Sequence, residues 1–518
     1  MPAWLKNAVF YEIYPQSFQD TNADGIGDFQ GIIDRLPYLK ELGCNAIWMN
    51  PCYDSPFNDA GYDVRNYYLA APRYGTNEDL KRLFREVHRQ GMHLILDLVP
   101  GHTSIDCPWF LESCKAEKNE YTGRYIWSDS VWESMTGVEN IAGVLRGISP
   151  RDASVATNFF STQPALNYGF VKPDKPWQSA KDSPEALATR EAMKDIMRFW
   201  LSMGADGFRV DMAGSLIKGE GGRLETIKLW QDVRAFLDRE FPEAALISEW
   251  GIPDESLAGG FHMDFLLTSG ESHYNEMFRT EHPYFSAEST QDAADFIRAF
   301  NGYRAAVGGK GLICIPSGNH DTPRLRDYLT VDEMRLAFAF LLTMPGAPYI
   351  YYGDEIGMRY LHDLVSVEGG YQRTGTRTPM QWDHTPNSGF SSAPKEKLYI
   401  TMDPDPDRPT VQDQQADASS LWHTVQQLLT LRMSHTALQT EADFRFVGGD
   451  CGRPALVYRR EDDAEKLLIA INPKKEAAVL EDVRGTAVQT LYVLGEAAAL
   501  TENGLTVPGR SATVLLLS

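Results

Sequence analysis

Four apolar runs in this sequence end in groups that can hold a charge or a proton. Gly207-Phe-Arg-Val210 stops at Asp211, and Ala245–Ser248 stops at Glu249-Trp250. Leu94–Val99 leads to Gly101-His102, and Leu312–Pro316 leads to Asn319-His320-Asp321. A charge at the end of a buried strand needs partners or a ligand. Asp211 and Glu249 are the candidate acid–base pair. Arg209 lies two residues before Asp211, on the same face of a strand, and a cation that close favours the ionised carboxylate of a nucleophile. Glu249 stands beside Trp250 at the end of an apolar run, and an apolar setting would raise its pKa and suit a general acid. Asp321, next to His320, is a third acid. Cleavage of a glycosidic bond divides its work in this way, between a carboxylate and a carboxylic acid that protonates the leaving oxygen.

Groups delivered by four strand ends describe the mouth of an α/β barrel, and the chain between them keeps the required beat. Val9–Tyr14, Cys44–Met49 and Met92–Val99 read as the first three strands. Between them lie a helical stripe (Ile32, Ile33, Leu36, Leu39, Leu42) and a helix opened by Thr76-Asn-Glu-Asp79 and closed by Gly91. This order implies parallel strands with right-handed crossovers. Arg190–Met203 is a helix that delivers the fourth strand, and Ile227, Trp230, Val233 and Leu237 mark the helix before the fifth. Phe261–Leu267, Leu312–Pro316 and Pro348–Tyr352 complete the eight, and Leu421–Met433 is a closing helix. His102 to about Lys172 has no clean period and reads as an insertion overhanging the mouth. Pro404 to Asp417 reads as a surface excursion. After about Thr440 come Ala455–Arg460, Lys466–Ile471, Gln489–Leu494 and Ala512–Leu517, with a turn signal at Asn503-Gly504, the pattern of an antiparallel β-sandwich. The expected fold class is therefore α/β, a (β/α)8 barrel. Residues 1–101 and 173–438 form the barrel, 102–172 an inserted subdomain, and 439–518 a C-terminal β-sandwich domain.

One loop suits a hard cation. Asp20, Asn22, Asp24 and Asp28 place side-chain oxygens at alternate positions around a Gly turn, and the expected ligand set for Ca²⁺ is Asp20, Asn22, Asp24, Ile26 and Asp28. No Glu stands at the twelfth position, Gly31, or at Ile32 after it, so the loop is not an EF-hand.

The bulk numbers bound the rest. The 518 residues carry a net charge of −22, which argues against nucleic acid or an anionic membrane as partner. No apolar run is long enough to cross a bilayer, and the N-terminus lacks the basic and apolar regions of a signal peptide, so a cytoplasmic protein is expected. The 6 cysteines form no CxxC pair, which disfavours a zinc site and makes reduced thiols the default.

At its motifs the chain resembles the α-amylase family of retaining glycoside hydrolases. The motifs are Asp97-Leu-Val-Pro-Gly-His102, Gly207-Phe-Arg-Val-Asp211, Ile247-Ser-Glu249-Trp250 and Ser317-Gly-Asn-His320-Asp321, in the family's order. The resemblance implies that Asp211 is the nucleophile, Glu249 the acid/base, and Asp321 the group that fixes sugar hydroxyls. It also implies that His102, Arg209 and His320 line the same sugar subsite. Gly61-Tyr62-Asp63, Gln163-Pro-Ala-Leu-Asn167 and Arg377-Thr-Pro-Met-Gln-Trp382 look like motifs of the oligo-1,6-glucosidase, α-glucosidase and trehalose synthase group. By that likeness Tyr62 stacks on the sugar, and an Asp63–Arg377 pair walls off a pocket for the non-reducing glucose of a short oligosaccharide. An exo-acting α-glucosidase is then expected. A glucosyltransferase or isomerase of the trehalose synthase type is the alternative, and a non-catalytic sugar-binding barrel is disfavoured by the complete set of three acids. The positions matching the central calcium site of many family amylases are Gly101, Ala165 and Ser215, which offer no strong ligand, so that calcium is expected to be absent. Met212, after the presumed nucleophile, departs from the small residue or Val usual in the group and leaves the linkage open, as the sequence leaves the oligomeric state.

Overall fold

The computed structural model describes residues 1–135, 137–266, 271–440, 442–447 and 454–518. Eight parallel strands surround the molecule's centre: β1 (Phe10–Ile13), β2 (Ala46–Met49), β3 (His93–Leu98), β4 (Gly207–Val210), β5 (Ala245–Ser248), β6 (Met263–Phe265), β7 (Leu312–Cys314) and β8 (Tyr349–Tyr351). They are ordered 7-6-5-4-3-2-1-8, and a parallel bridge from Pro316 to Tyr349 closes the ring. Every strand is buried along its length apart from the first residue of β3. Such strands read as continuous apolar runs, which is why they were visible in the sequence.

Parity divides each strand between two cores. Phe10, Ala46, Trp48, Ile95, Ala245 and Ile247 fill the barrel interior, while Tyr11, Ile47, Met49, Leu94, Leu96 and Leu246 pack outward under the helices. Glu12, Asp97, Arg209, Asp211 and Glu249 share the inward parity, and so converge above the apolar layer at the C-terminal ends. Gly207 makes one of these approaches possible. Its φ is +148°, and a Cβ there would lie 2.2 Å from the Ala245 carbonyl oxygen of the neighbouring strand.

Helices α1 (Phe29–Leu42), α2 (Asn77–Arg89), α3 (Pro184–Met203), α4 (Leu224–Glu240), α5 (Pro253–Ala258), α6 (Ala294–Val307), α7 (Val331–Thr343) and α8 (Leu421–Ser434) cover the barrel. The Thr76–Asp79 capping box forms as expected: the Thr76 hydroxyl accepts from the Asp79 N–H and the Asp79 side chain accepts from the Thr76 N–H. Between β3 and α3 the chain makes a short helix, Pro108–Ser113, and a hairpin pairing Gly143–Arg146 with Ser154–Thr157. The excursion after Pro404 includes a helical turn, Val411–Ala416.

The C-terminal strands form a five-stranded antiparallel sheet and a three-stranded one, which share a core of Val457, Leu468, Leu480, Leu505, Val507 and Leu515. Two arginines weld this part to the barrel. Arg432 of α8 donates to the carbonyls of Leu342, Met344 and Gly346 at 2.8, 3.0 and 2.6 Å, and Arg460, on the strand Leu456–Glu461, donates to that of Thr343 at 2.8 Å. The orphan carbonyls at the end of α7 are thus satisfied by guanidinium groups rather than water. Burial pulls the Arg432 pKa down to about 9, and burial together with Arg432 pulls Arg460 down as well.

Among the described residues no helix is long and apolar enough to cross a membrane. The five described cysteines are unpaired, and Cys451 lies outside the described residues.

Candidate active site

A cavity of about 440 Å³ opens at the C-terminal ends of the strands, within the range of small-ligand sites. Tyr62, His102, Asp211, Glu249 and Asp321 all line it. One guanidinium organises its floor. Arg209 is 2% exposed; its Nη1 contacts Asp97 at 2.8 Å and Asp211 at 3.1 Å, and its Nη2 contacts Glu249 at 2.9 Å. Asp97 is fixed in turn by the Trp48 indole N–H and the Tyr62 hydroxyl, each at 3.0 Å. Burial works against the Arg209 charge, but the surrounding acids outweigh it and hold its pKa well above the usual value.

The electrostatics differ from the sequence expectation for both carboxyl groups of the pair. Burial and the Glu249 carboxylate push the Asp211 carboxyl well above its usual range, against the pull of Arg209. Proximity to Arg209 therefore does not leave Asp211 freely ionised. Glu249 is not in an apolar pocket: besides Arg209 it accepts from the Met212 N–H at 3.1 Å. Met212 pays for the tight turn with a left-handed φ of +44°.

Asp321 stands opposite. His320 Nε2 lies 3.2 Å from its Oδ2, and Arg373 and Arg377 reach its Oδ1 at 2.6 and 2.8 Å. Burial would raise this carboxyl, but His320 and the two guanidiniums overcome it and hold it well below the usual range. His102 is buried, with Nε2 3.1 Å from the Tyr62 carbonyl, and burial pulls its pKa down to about 4, so it is neutral.

The wall of the pocket is built differently from the expected Asp63–Arg377 pair. Asp63 faces away from the cavity: its carboxylate accepts from the Ser55 hydroxyl at 3.0 Å and from the N–H groups of Asn58 and Asp59 at 2.9 and 3.1 Å. Tyr62 and Asp63 lie in an irregular turn between two short strands, which aims Tyr62 at the cavity and Asp63 at the loop that supports it. Arg377 pairs with the buried Glu368 at 2.7 Å as well as with Asp321. The bridge across the pocket runs instead from Asp59 through Arg373 to Asp321. Gln163 supports it, donating to Asp59 at 2.6 Å. Asp59, Arg373 and Glu368 were missed in the sequence; the available signal was an acid three residues before Tyr62 and an arginine four before Arg377. Phe159 and Tyr371 flank the mouth, 43% and 49% exposed.

The oxygen-rich loop at 20–28 is closed by its own hydrogen bonds. Asp20 accepts from the N–H groups of Asn22, Ala23 and Gly25, and from the Ser391 hydroxyl. Asn22 and Asp24 each accept from the N–H two residues on, that of Asp24 and that of Ile26, and Asp28 caps α1 through the Gly31 N–H at 2.8 Å. Among the described residues, the acids and histidines close enough to share an ion are elsewhere, at His273, Glu276 and Asp295.

Comparison with known proteins agrees with this architecture. The family profile described as "Alpha amylase, catalytic domain" matches residues 12–441. The trehalose synthase/amylase TreS of Mycobacterium tuberculosis is 33% identical over 526 residues, covering 91% of this chain and 82% of that one. The oligo-1,6-glucosidase of Heyndrickxia coagulans is 30% identical over 531 residues, covering 91% and 92%. Among solved structures, the trehalulose synthase MutB of Pseudomonas mesoacidophila MX-45 superposes with a TM-score of 0.83 at 25% identity over 100% of both chains.

Proposed function

Because the chain belongs to the α-amylase family and is a glycoside hydrolase by that membership, we propose that it is a retaining, exo-acting α-glucosidase. It takes the non-reducing glucose of a short α-glucoside, and Asp211 and Glu249 do the chemistry. The observation that carries this reading is the single Arg209 guanidinium spanning Asp211 and Glu249 at the floor of a pocket walled by Asp59, Arg373 and Asp321. In the first step an Asp211 oxygen bonds to the anomeric carbon as the glycosidic bond breaks, and the Glu249 carboxylic acid gives its proton to the leaving oxygen. In the second step Glu249 takes a proton from water, whose oxygen displaces Asp211 with a second inversion. His320, His102, Tyr62 and Asp321 hold the sugar. The Asp59–Arg373 bridge leaves no room beyond the terminal hydroxyls, which favours removal of one unit at a time.

A second reading is that a sugar replaces water in the second step. The exposed aromatic rings of Phe159 and Tyr371 at the mouth favour it, since they offer faces on which an acceptor sugar can lie. The similar MutB, a trehalulose synthase solved as a mutant with the substrate sucrose, is named for making a disaccharide, and TreS is named both trehalose synthase and amylase. Product analysis on maltose, isomaltose, sucrose and trehalose tests both. Free glucose as the dominant product supports hydrolysis; new disaccharides in excess over glucose overturn it in favour of transfer, and no turnover of any glucoside overturns both.

The same proposal includes Ca²⁺ in the 20–28 loop. Asn22 and Asp24 supply the support, because the oxygen of each that accepts one loop N–H keeps a second lone pair for a hard cation, whereas the Asp20 and Asp28 oxygens each already accept two hydrogen bonds and would have to exchange one for the ion. No central calcium is proposed: the buried Lys218 amine donates to the Ser215 carbonyl at 2.8 Å, occupying an oxygen at one of the matching positions. Unpaired cysteines support a cytoplasmic site of action.

A further inference from the structure

Strand β1 brings one acid into the barrel. Glu12 shares the inward parity of Phe10 and is 0% exposed. Its Oε1 lies 2.8 Å from His320 Nδ1 and accepts from the Asn50 amide at 3.2 Å, while its Oε2 has no partner among the described residues. Removing a carboxylate from water with so few donors is costly, and an apolar side chain would serve stability better at this depth. A functional return is therefore to be sought at the group it touches. That group is the His320 ring, 1% exposed and already placed against Asp321.

The surroundings of the ring are those of a cation. Its Nδ1 lies 2.8 Å from Glu12 and 3.0 Å from the Asn50 amide, and its Nε2 lies 3.2 Å from Asp321, so a neutral imidazole serves only one of the two carboxylates that flank it. Tyr62 stacks on the ring at 5.3 Å and 13°, and Tyr14 stacks at 6.4 Å and 10°. Aromatic faces attract positive charge. Trp48 meets the ring edge-on at 6.0 Å. The Arg377 Nε–H donates to the His320 carbonyl at 2.8 Å and pins the backbone. The other charged or titratable groups facing the Glu12–His320 pair are Arg209, Asp97, Tyr349 and Tyr351. Of these only Arg209 is positive, and Asp97, Asp211 and Glu249 already surround it.

We infer that Glu12 is a positioning residue of the sugar site: from inside the barrel it fixes the His320 ring and keeps it cationic, so that Nε2–H is presented to Asp321 and to the sugar hydroxyls that Asp321 grips. This use of His320 rests on the reading of the cavity as a glucoside site, whereas the charge on the ring rests on geometry alone. Burial opposes that charge, but Asp321 and Glu12 outweigh it and push the His320 pKa up to about 9.

Glu12→Gln is the test, because the amide keeps the shape and an acceptor for Nδ1–H while losing the charge. With 4-nitrophenyl α-glucoside as substrate, the ratio of wild-type to variant kcat/KM should rise at least about tenfold between pH 6 and pH 8.5, as the variant's His320 loses its proton earlier. Glu12→Ala, which also frees the ring, should lose kcat/KM across the whole range. A position that merely fills space predicts a constant ratio in Glu12→Gln, and that result would overturn the inference. The second arm needs no activity and no Glu12 variant. In protein labelled with [13Cε1]histidine, with the His320 signal assigned through His320→Asn, the His320 resonance should not titrate below pH 8. A neutral ring at pH 7 overturns the proposal. Failure of the wild type to cleave any glucoside, with His320 cationic, counts against the site reading and not against the Glu12–His320 pair.

Discussion

The Asp59–Arg373–Asp321 bridge makes a quantitative prediction. Asp59 and Arg373 are 5% and 6% exposed at their side chains, so neither charge has water to fall back on. Arg373→Met leaves Asp59 with the Gln163 amide as its remaining strong donor, and burial, which already pushes that carboxyl up against the pull of Arg373, then prevails. Breaking a buried pair by removing one partner costs about 3–5 kcal/mol. Burial already favours the neutral Asp59 carboxyl, which limits the loss, so the lower end, about 3 kcal/mol, applies. At ~1.4 kcal/mol per factor of ten, this is a fall of roughly 150-fold in kcat/KM if the wall is needed for the transition state. Asp59→Asn should cost less, because Arg373 keeps Asp321. The double variant should cost clearly less than the two losses multiplied, since it strands no charge. We expect a coupling of at least ~1.5 kcal/mol, more than tenfold, from the cycle measured on maltose or isomaltose. Coupling below ~0.5 kcal/mol, the additivity of independent sites, would refute the claim that the two side chains form one wall.

Glu249→Gln should lower kcat on unactivated glucosides by ~10²–10⁴-fold, and much less on 4-nitrophenyl glucoside, whose leaving group needs no proton; equal losses on both would refute the acid role. Asp211→Asn should abolish turnover yet raise the melting temperature at pH 8, because burial and Glu249 oppose ionisation there; a lower melting temperature contradicts this. Burial pushes Asp264 and Glu355 each up to about 7. The folded state then binds protons that the unfolded state has released, so their contribution to stability declines as pH rises from about 4 to about 7 and is flat above. Asp264→Asn should flatten that slope in urea unfolding, and an unchanged slope argues against it. Stripping divalent cations with EDTA should lower the melting temperature, Ca²⁺ should restore it, and Asp24→Ala should remove the response; insensitivity of the wild type to both eliminates the loop cation.

Residue type and position exposed much of the site in advance. Acids ending apolar runs stood out at Asp211, Glu249 and Asp321, because apolar strands buried on both faces leave few reasons for a charge at their ends. Glu12 did not stand out, since a single acid inside Val9–Tyr14 looks like ordinary alternation until the His320 ring is seen against it. Asp59 and Arg373 lie 314 residues apart, and no local pattern links them. The expected pairing of Asp63 with Arg377 is not formed, because the turn at 59–63 folds the Asp63 carboxylate back onto its own loop, where Ser55 and the N–H groups of Asn58 and Asp59 satisfy it. Strands β4 and β5 match their expected bounds, β1, β2, β3, β7 and β8 are each two residues shorter than expected, and the expected end of β6, Leu267, lies outside the described residues. Helices α6 and α7 went unread, and in α7 the reason is burial on nearly every side from Met334 to Thr343, which erases the stripe that marks a surface helix.

The two arginines at the end of α7 bear on how the polypeptide can be divided. Arg460 comes from the C-terminal sheet, yet the carbonyl it satisfies belongs to the barrel's own helix. A fragment ending at residue 438 would expose that carbonyl and leave Arg432 to serve the helix terminus alone. The last eighty residues are thus a keystone for the scaffold rather than an appendage, and swapping them between relatives should succeed only where the incoming sheet brings a guanidinium to the same spot.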